Sequence, residues 1–246
     1  MIRKLAALSL AAMTLSGPAL ADAKNVVLVH GATMDGSGWR DVHDLLKRQG
    51  LSVSVVQLPH TSFEDDVAAT RLILAQQDGP TVLVGHSYGG AVITEAGFDE
   101  RVGALVYIAA FQPDAGETLA SLTERYPMTF DTKLLDEQHF VPDPANYHQA
   151  LAADLPEELT DFMSASSKPM TFEPFSVEFT RAAWREKPSF QIVTTQDRVL
   201  DPELLRWMYA RSGGETVEIE ASHMVYISRP QEVAEVILDA AAAVLD

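Results

Sequence analysis

A serine lies at the boundary between a strand-like and a helix-like segment of the chain. A short apolar run at residues 81–84 precedes it, Ser87 stands between glycines, and a helix-like stretch follows. At such a turn the serine hydroxyl projects above the sheet edge, and Gly85 and Gly89 leave room for neighbouring backbone. The Gly-x-Ser-x-Gly pattern alone arises by chance in about one of ten chains of this length. Its setting between strand and helix, with Gly90 beside it, predicts a nucleophile; the alternative is a glycine-rich turn without chemistry.

Strand-like and helix-like segments alternate along most of the chain. The strand-like runs are apolar and rich in β-branched residues, as strands buried on both faces require. This alternation predicts an α/β fold, a mostly parallel sheet of about six strands with helices on both faces. A capping box at Thr61–Glu64 predicts the start of one helix. The predicted strands span residues 26–30, 51–58, 81–84, 104–109, 189–195 and 216–220.

The segment from residue 112 to 187 breaks the alternation. It contains seven of the 13 prolines and six of the 10 phenylalanines of the chain, and it is too long for a connecting loop. We therefore expect a cap inserted into a single α/β domain of residues 22–246. Its aromatic residues predict an apolar lining over a site, or alternatively only the cap's own core. These phenylalanines are Phe130, Phe140, Phe162, Phe172, Phe175 and Phe179.

The first 21 residues are typical of a secretory signal peptide. Arg3 and Lys4 precede an apolar run at residues 5–15, and residues 18–21 end in an Ala-x-Ala cleavage pattern. The apolar run is shorter than a helix that spans a bilayer. We therefore predict export to the periplasm or the medium, with an uncleaved anchor as the alternative.

The composition excludes several classes of function. The net charge is −17, whereas binding to nucleic acid or to an anionic membrane requires a basic surface. The chain contains no cysteine, which excludes thiol nucleophiles and cysteine-ligated metals. Neither a phosphate-binding Gly-x-x-x-x-Gly-Lys motif nor a His-Glu-x-x-His motif occurs. No metal or cofactor is therefore predicted, and the expected partner is a small molecule.

A serine hydroxyl becomes a good nucleophile when a base takes its proton, usually an imidazole oriented by a carboxylate. His223 follows the last predicted strand, so it is expected at the same sheet edge as Ser87. Asp197 stands two residues past the fifth predicted strand and is the preferred carboxylate, because Asp201 is placed to cap a helix. Asp114, which follows the fourth predicted strand, is the alternative acid.

Two backbone N–H groups are placed to bind an oxyanion that develops beside the serine. One belongs to Tyr88, at the start of the helix that follows Ser87. The other belongs to Ala32, in the loop after the first predicted strand. His30 and His86 flank these positions, and we expect them to make structural hydrogen bonds rather than to carry protons.

These motifs resemble the α/β-hydrolase superfamily, and within it the branch of plant methyl esterases and hydroxynitrile lyases. The likeness rests on Val-His-Gly-Ala at residues 29–32 with Trp39 after it, Gly-His-Ser-x-Gly-Gly at 85–90, Ala-Phe-x-Pro-Asp at 110–114 and Ser-His-Met at 222–224. The resemblance implies a serine nucleophile, a Ser–His–Asp triad and no cofactor. It does not identify the substrate, because most of the predicted cap matches nothing in the branch that can be carried over.

The two chemistries of this branch differ at two positions. Hydroxynitrile lyases typically carry a threonine where this chain has Gly31, and a lysine where it has Met224. Without that hydroxyl and that ammonium group, the leaving cyanide has no charge partner. The resemblance therefore favours hydrolysis of a small carboxylic ester. The alternatives are a cofactor-free lyase or perhydrolase with the same triad, and a binding protein without activity.

Overall fold

The computed structural model describes residues 23–244, so the predicted signal peptide lies outside the described residues. Within residues 23–244, no helix is long and apolar enough to cross a membrane. The strands are β1 (Asn25–Val29), β2 (Ser52–Val55), β3 (Thr81–His86), β4 (Val102–Ile108), β5 (Thr132–Leu134), β6 (His139–Pro142), β7 (Met170–Thr171), β8 (Ser189–Thr194) and β9 (Glu215–Ile219). The helices are α1 (Arg40–Arg48), α2 (Phe63–Leu74), α3 (Tyr88–Ala96), α4 (Leu119–Arg125), α5 (Tyr147–Leu151), α6 (Glu157–Ala165), α7 (Glu173–Ser176), α8 (Pro202–Ala210), α9 (Val225–Ser228) and α10 (Pro230–Ala242).

Six of these strands form one parallel sheet, which confirms the predicted α/β architecture. Its order is β2-β1-β3-β4-β8-β9, and every neighbouring pair runs parallel. Strands β1, β3 and β8 are buried along their whole length, as their continuous apolar sequences predict. Val29 at the end of β1 lies opposite Gly85 near the end of β3. The loops that follow these two strands therefore meet at one edge of the sheet.

The start of α2 differs from the prediction by one residue. Ser62 is the N-cap, and its hydroxyl accepts a hydrogen bond from the N–H of Asp65 at 3.1 Å. The hydroxyl of Thr61 donates to the carboxylate of Asp65 at 2.7 Å instead of capping the helix. The capping box predicted at Thr61 and Glu64 is therefore wrong, because the neighbouring serine takes the N-cap position.

Between β4 and β8 lies the segment predicted to form a cap, and we use that name for residues 112–187. It contains helices α4 to α7 and a small antiparallel sheet of order β5-β6-β7. Phe140 in β6 is buried, and it lines a cavity together with Phe175 and Ser87. The cap therefore covers the sheet edge where β3 ends.

Candidate active site

Ser87 occupies the turn between β3 and α3 in a strained backbone conformation. Its φ is 52° and its ψ is −122°, a region that residues other than glycine rarely adopt. A Cβ atom on Gly85 would lie 2.5 Å from the carbonyl oxygen of Gly89, and one on Gly89 would lie 2.7 Å from that of His30. Both glycines are required because backbone passes directly over them, as the sequence predicted. This backbone conformation is the one in which a strand-to-helix turn presents a serine nucleophile above the sheet edge.

His223 and Asp197 form a buried pair at the same edge. The Nδ1 of His223 donates to Oδ2 of Asp197 at 2.8 Å, and both side chains are almost fully shielded from solvent. An imidazole that donates through Nδ1 retains a lone pair on Nε2 and can accept a proton there. Ser87 and His223 line one cavity. The structure therefore brings together the three residues that the sequence singled out as nucleophile, base and acid.

The carboxylate of Asp197 is held by three further hydrogen bonds. Its Oδ1 accepts from the N–H groups of Val199 and Leu200, at 2.8 and 2.9 Å. Its Oδ2 accepts from the hydroxyl of Thr194 at 2.7 Å. Because each of these bonds is donated to the carboxylate, they fix the plane in which Asp197 holds His223.

The cap also holds the loop that carries His223. Asp154, between α5 and α6, accepts hydrogen bonds from the hydroxyl of Ser222 and from its backbone N–H, the latter at 3.2 Å. Ser222 immediately precedes His223. A carboxylate of the cap therefore fixes the backbone on one side of the imidazole.

The competing acids lie elsewhere. Asp114 pairs with the exposed guanidinium of Arg185, whose Nε donates at 2.7 Å. This pairing holds the pKa of Asp114 below its usual value. The carboxylate accepts hydrogen bonds from Arg185 and from the N–H of Ala115, and none from His223. Asp201 caps α8 by accepting from the N–H of Glu203 at 2.8 Å, which confirms its predicted structural role.

The two other histidines that follow the serine in the chain are engaged within the cap. His139 pairs with the carboxylate of Asp136 on the surface, at 2.8 Å. The Nδ1 of His148 lies 3.1 Å from the hydroxyl of Thr160. Neither imidazole is among the residues that line the cavity of Ser87.

The backbone groups predicted to bind an oxyanion lie on the two loops that meet at this edge. Ala32 follows β1 and lines the cavity of Ser87. Tyr88 is the first residue of α3, so its N–H belongs to the helix N-terminus, where the backbone dipoles favour negative charge. Since β1 and β3 are parallel neighbours, these two positions approach the serine from adjacent strands.

Two buried histidines make hydrogen bonds that support the loops of the site. His30 donates through Nδ1 to the carbonyl of Gly31 at 3.0 Å, and its Nε2 accepts from the N–H of Leu58 at 3.0 Å. Burial lowers the pKa of His30 to about 4. His86 donates through Nε2 to the carbonyl of His223 at 2.9 Å, and burial likewise lowers its pKa well below the usual range. Both rings are neutral at physiological pH, and their hydrogen bonds hold the backbone of the neighbouring loops in place.

A buried carboxylate beneath the site was missed by the sequence reasoning. Asp66 is fully buried and accepts from the hydroxyl of Tyr88 at 2.7 Å and from the N–H of His60 at 2.8 Å. The Nε2 of His60 in turn lies 3.3 Å from the carbonyl of Met34. Asp66 thus holds Tyr88 at the start of α3 directly, and through His60 it is linked to the loop after β1 that carries Met34. Asp66 is one of three acidic residues in the first turn of α2. No sequence pattern distinguishes it from the two that lie on the surface.

The cavity above Ser87 is small and apolar. Its volume is about 30 Å³, which is room for one or two water molecules. Of the six cap phenylalanines, Phe130, Phe140 and Phe175 line it. Phe179 instead packs edge-on against Phe63 in the core. The cap phenylalanines therefore differ in role, since three line the cavity and one is in the core, whereas Phe162 and Phe172 are exposed. Other apolar walls come from Met34, Leu151, Val199 and Met224.

Residues 23–244 contain no group of three or more histidine, cysteine, aspartate or glutamate side chains arranged to hold a metal ion.

Comparisons with known proteins identify the family of this chain. The family model described as "Alpha/beta hydrolase family" matches residues 26–236. The carbendazim hydrolyzing esterase of Nocardioides sp. (strain SG-4G) is 28% identical, over 86% of this chain and 97% of the esterase. Polyneuridine aldehyde esterase of Rauvolfia serpentina is 27% identical, over 88% of this chain and 95% of that protein.

The fold matches that of a solved hydrolase as well. The crystal structure of a pyrethroid hydrolase from Sphingobium faniae JZ-2 superposes with a TM-score of 0.78 at 25% identity, covering 90% of this chain and 98% of that one. The predicted resemblance to this superfamily and to its plant methyl esterases is confirmed. The chain, with its serine turn and parallel sheet, belongs to the α/β-hydrolase family.

Proposed function

We propose that this protein hydrolyses small carboxylic esters through an acyl-enzyme formed on Ser87. The observation that carries the proposal is the 2.8 Å pair of His223 and Asp197 beside the strained serine, at one apolar cavity. Relatives named as esterases and as a pyrethroid hydrolase support the same class of reaction.

The proposed reaction has two halves. In the first, the Oγ of Ser87 attacks the ester carbonyl while Nε2 of His223 takes the hydroxyl proton. The oxyanion of the tetrahedral intermediate is bound by the N–H groups of Ala32 and Tyr88. Asp197 holds the imidazolium that forms. As the intermediate collapses, the C–O bond to the alcohol breaks and His223 returns the proton to that alcohol.

In the second half, water completes the hydrolysis. His223 takes a proton from a water molecule, whose oxygen attacks the acyl carbonyl. The bond to Ser87 then breaks, the serine recovers its proton, and the carboxylic acid leaves. The two halves consume one ester and one water and restore the protein.

Position 31 supports hydrolysis over cyanohydrin cleavage. A Cβ atom on Gly31 would lie 3.0 Å from the Cβ of Ser87 and 3.0 Å from Nδ1 of His86. A threonine there, as in the lyases, would require both neighbours to shift. Met224 lines the cavity and supplies no charge for a leaving cyanide.

The test is hydrolysis of p-nitrophenyl acetate, butyrate and octanoate. We expect a burst of nitrophenol from the natural chain and its complete loss in Ser87→Ala. Ser52→Ala, at an exposed serine of the edge strand β2, is the matched control and should keep the natural rate. Absence of turnover on every ester, together with no labelling of Ser87 by a fluorophosphonate, would overturn the proposal.

We further propose that residues 1–21 direct export and are removed. N-terminal sequencing of the protein recovered from the periplasm or medium of a producing bacterium should begin at Asp22. A product that retains Met1 and stays in the cytoplasm would contradict this.

A further inference from the structure

The cavity above Ser87 has too little room for a substrate with any sizeable substituent. Its volume of about 30 Å³ accommodates the reacting carbonyl and little else, whereas sites for small ligands usually measure about 300–1,000 Å³. The remainder of an ester must therefore lie in a space connected to this cavity.

A second depression adjoins it, which we call the α6 cleft. Its volume is about 320 Å³, at the lower end of the range for ligand sites. It lies between the loop after β1 and the cap helix α6. Its walls include Thr33, Met34, Leu159, Phe162, Met163 and Ile227.

Thr33 and Met34 line both spaces, so they form the partition between them. They directly follow Ala32, whose N–H is proposed to bind the oxyanion. Two residues of chain span at most about 7 Å, so the cleft begins within reach of the ester carbonyl. An extended substituent that leaves the catalytic cavity past this partition enters the α6 cleft.

Met34 has the properties of a movable partition. Its side chain is unbranched and flexible, and it adapts to irregular space. Its sulfur is held only by a weak hydrogen bond from the hydroxyl of Tyr147, with the oxygen 3.6 Å away. A rotation of this side chain would connect the cavity with the cleft without moving the backbone.

The cleft presents apolar side chains that the folded chain leaves uncovered. Phe162 is 69% exposed and Leu159 is 39% exposed, and both face the cleft from α6. The charged residues at its rim are Asp35, Arg40 and Asp41. This excess of negative charge disfavours an anionic group, so the surface suits a neutral alkyl or aryl group.

We propose that the α6 cleft binds the larger, neutral and apolar substituent of the ester, and that Met34 separates it from the reacting carbonyl. This inference rests on the proposed esterase activity and adds its substrate class. The substrates are esters with one small group, which fits beneath the cap phenylalanines, and one alkyl or aryl group, which extends along α6.

The test compares large and small esters on one protein sample, so that the ratio of their kcat/KM values does not depend on the folded fraction. One series varies the acyl group, from p-nitrophenyl acetate to octanoate. The other varies the alcohol, from phenyl acetate to 1-naphthyl acetate. The series whose ratio responds to the variants identifies the substituent that enters the cleft.

Ser166→Trp places an indole in the cleft from the exposed end of α6. We expect kcat/KM for the large ester to fall at least about tenfold relative to the small ester, mainly through KM, because uniform binding is lost. Leu72→Trp, at an exposed position of α2 outside the cleft, is the matched control and should leave the ratio unchanged. Met34→Ala should raise the ratio, since it opens the partition.

The outcomes separate this inference from the esterase proposal. If acetate hydrolysis does not depend on Ser87, the proposed function fails. If it does depend on Ser87 but neither Ser166→Trp nor Met34→Ala changes the ratio in either series, the function stands and the cleft assignment is overturned.

Discussion

At the scale of single residues, Asp197 accepts four hydrogen bonds and donates none. An amide in its place has only one accepting atom and cannot make all four. In Asp197→Asn, the side-chain NH₂ faces groups that all donate, so His223 loses its acceptor at Nδ1 and the tautomer that presents Nε2 as a base. We expect kcat/KM for p-nitrophenyl acetate to fall on the order of 10³-fold or more. Asp114→Asn is the control and should stay within about twofold, since its partner is a surface arginine. The reverse ranking would make Asp114 the acid.

The bond between Tyr88 and Asp66 gives a second prediction at this scale. Burial, reinforced by the Asp66 carboxylate, raises the pKa of Tyr88 well above its usual value, so the phenol stays protonated and donates. Tyr88→Phe leaves a buried carboxylate short of one donor, which should cost about 1–3 kcal/mol of unfolding free energy. It should also lower kcat, because the N–H of the same residue is proposed to bind the oxyanion.

The control for this variant is Tyr107→Phe. The hydroxyl of Tyr107 is also buried and lies 2.9 Å from that of Thr94, on a strand that carries no proposed catalytic group. It should lose stability with kcat retained. Equal kcat for the two variants, measured on folded protein, would show that the Asp66 bond serves stability alone.

His30 predicts a specific acid sensitivity. Its pKa is about 4 in the folded protein and about 6.5 in an unfolded chain. Above pH 6.5 both states are neutral, whereas between pH 6.5 and 4 only the unfolded state takes up the proton. The free energy of unfolding should therefore fall as the pH drops through this window, by about 3 kcal/mol at most from this residue.

The measurement is urea unfolding at several pH values between 7.5 and 4.5. His30→Gln should show a shallower pH dependence than the natural chain, although it is less stable at neutral pH. His43→Gln, which removes a partly exposed histidine from α1, should keep the natural slope. If the two variants have the same slope, the contribution of His30 is refuted.

At the scale of secondary structure, we expect the N-cap residue of α8 to contribute to stability and not to catalysis. Asp201→Ala removes the acceptor for the N–H of Glu203 and should lower the unfolding free energy by about 1 kcal/mol. Asp201→Asn retains a side-chain oxygen and should restore most of that loss. Esterase activity at a temperature where both variants are folded should equal that of the natural chain. A loss of activity in step with Asp197→Asn would assign Asp201 a catalytic part.

The strands of the sheet centre were predictable because local sequence and burial agree. Continuous apolar runs coincide with β1, β3 and β8, which are buried throughout. The agreement between sequence and burial is weaker for β2, the outermost strand of the sheet. The predicted strand 51–58 ends at Val55, because the N–H of Leu58 turns away to bond the imidazole of His30.

The antiparallel sheet of the cap could not be read from the sequence. Strands β5 and β7 have three and two residues, too few for a periodicity of two to appear. The candidate triad shows the opposite case. Ser87 directly follows β3, and Asp197 and His223 lie three and four residues past the ends of β8 and β9. The sheet topology fixes where these strand ends meet. Asp66 lacks any such marker, because its partner Tyr88 lies in another element.

At the scale of the whole molecule, the net charge of −17 predicts a dependence of stability on salt. Repulsion among like charges destabilises the compact state and is screened as the ionic strength rises. Raising NaCl from about 10 mM to about 150 mM should increase the Tm, by about 2–4 °C for each kcal/mol gained. Differential scanning calorimetry at the two salt concentrations measures this, with sucrose of equal osmolality as the uncharged control. A Tm that falls with added NaCl would contradict the prediction.

The connection between β4 and β8 places the whole cap in one continuous stretch of the chain. These strands are parallel neighbours, and parallel neighbours always need a crossover between them. Here the crossover carries the cap, and β4 and β8 pair in register from Leu105 with Ser189 to Ile108 with Ile192.

On the proposed function, substitutions in the cap change the lining of the catalytic cavity and of the α6 cleft, whereas Ser87, His223 and Asp197 lie outside the cap. The proposed substrate site is not confined to this crossover, because Met34 and Ile227 line the α6 cleft from outside the cap.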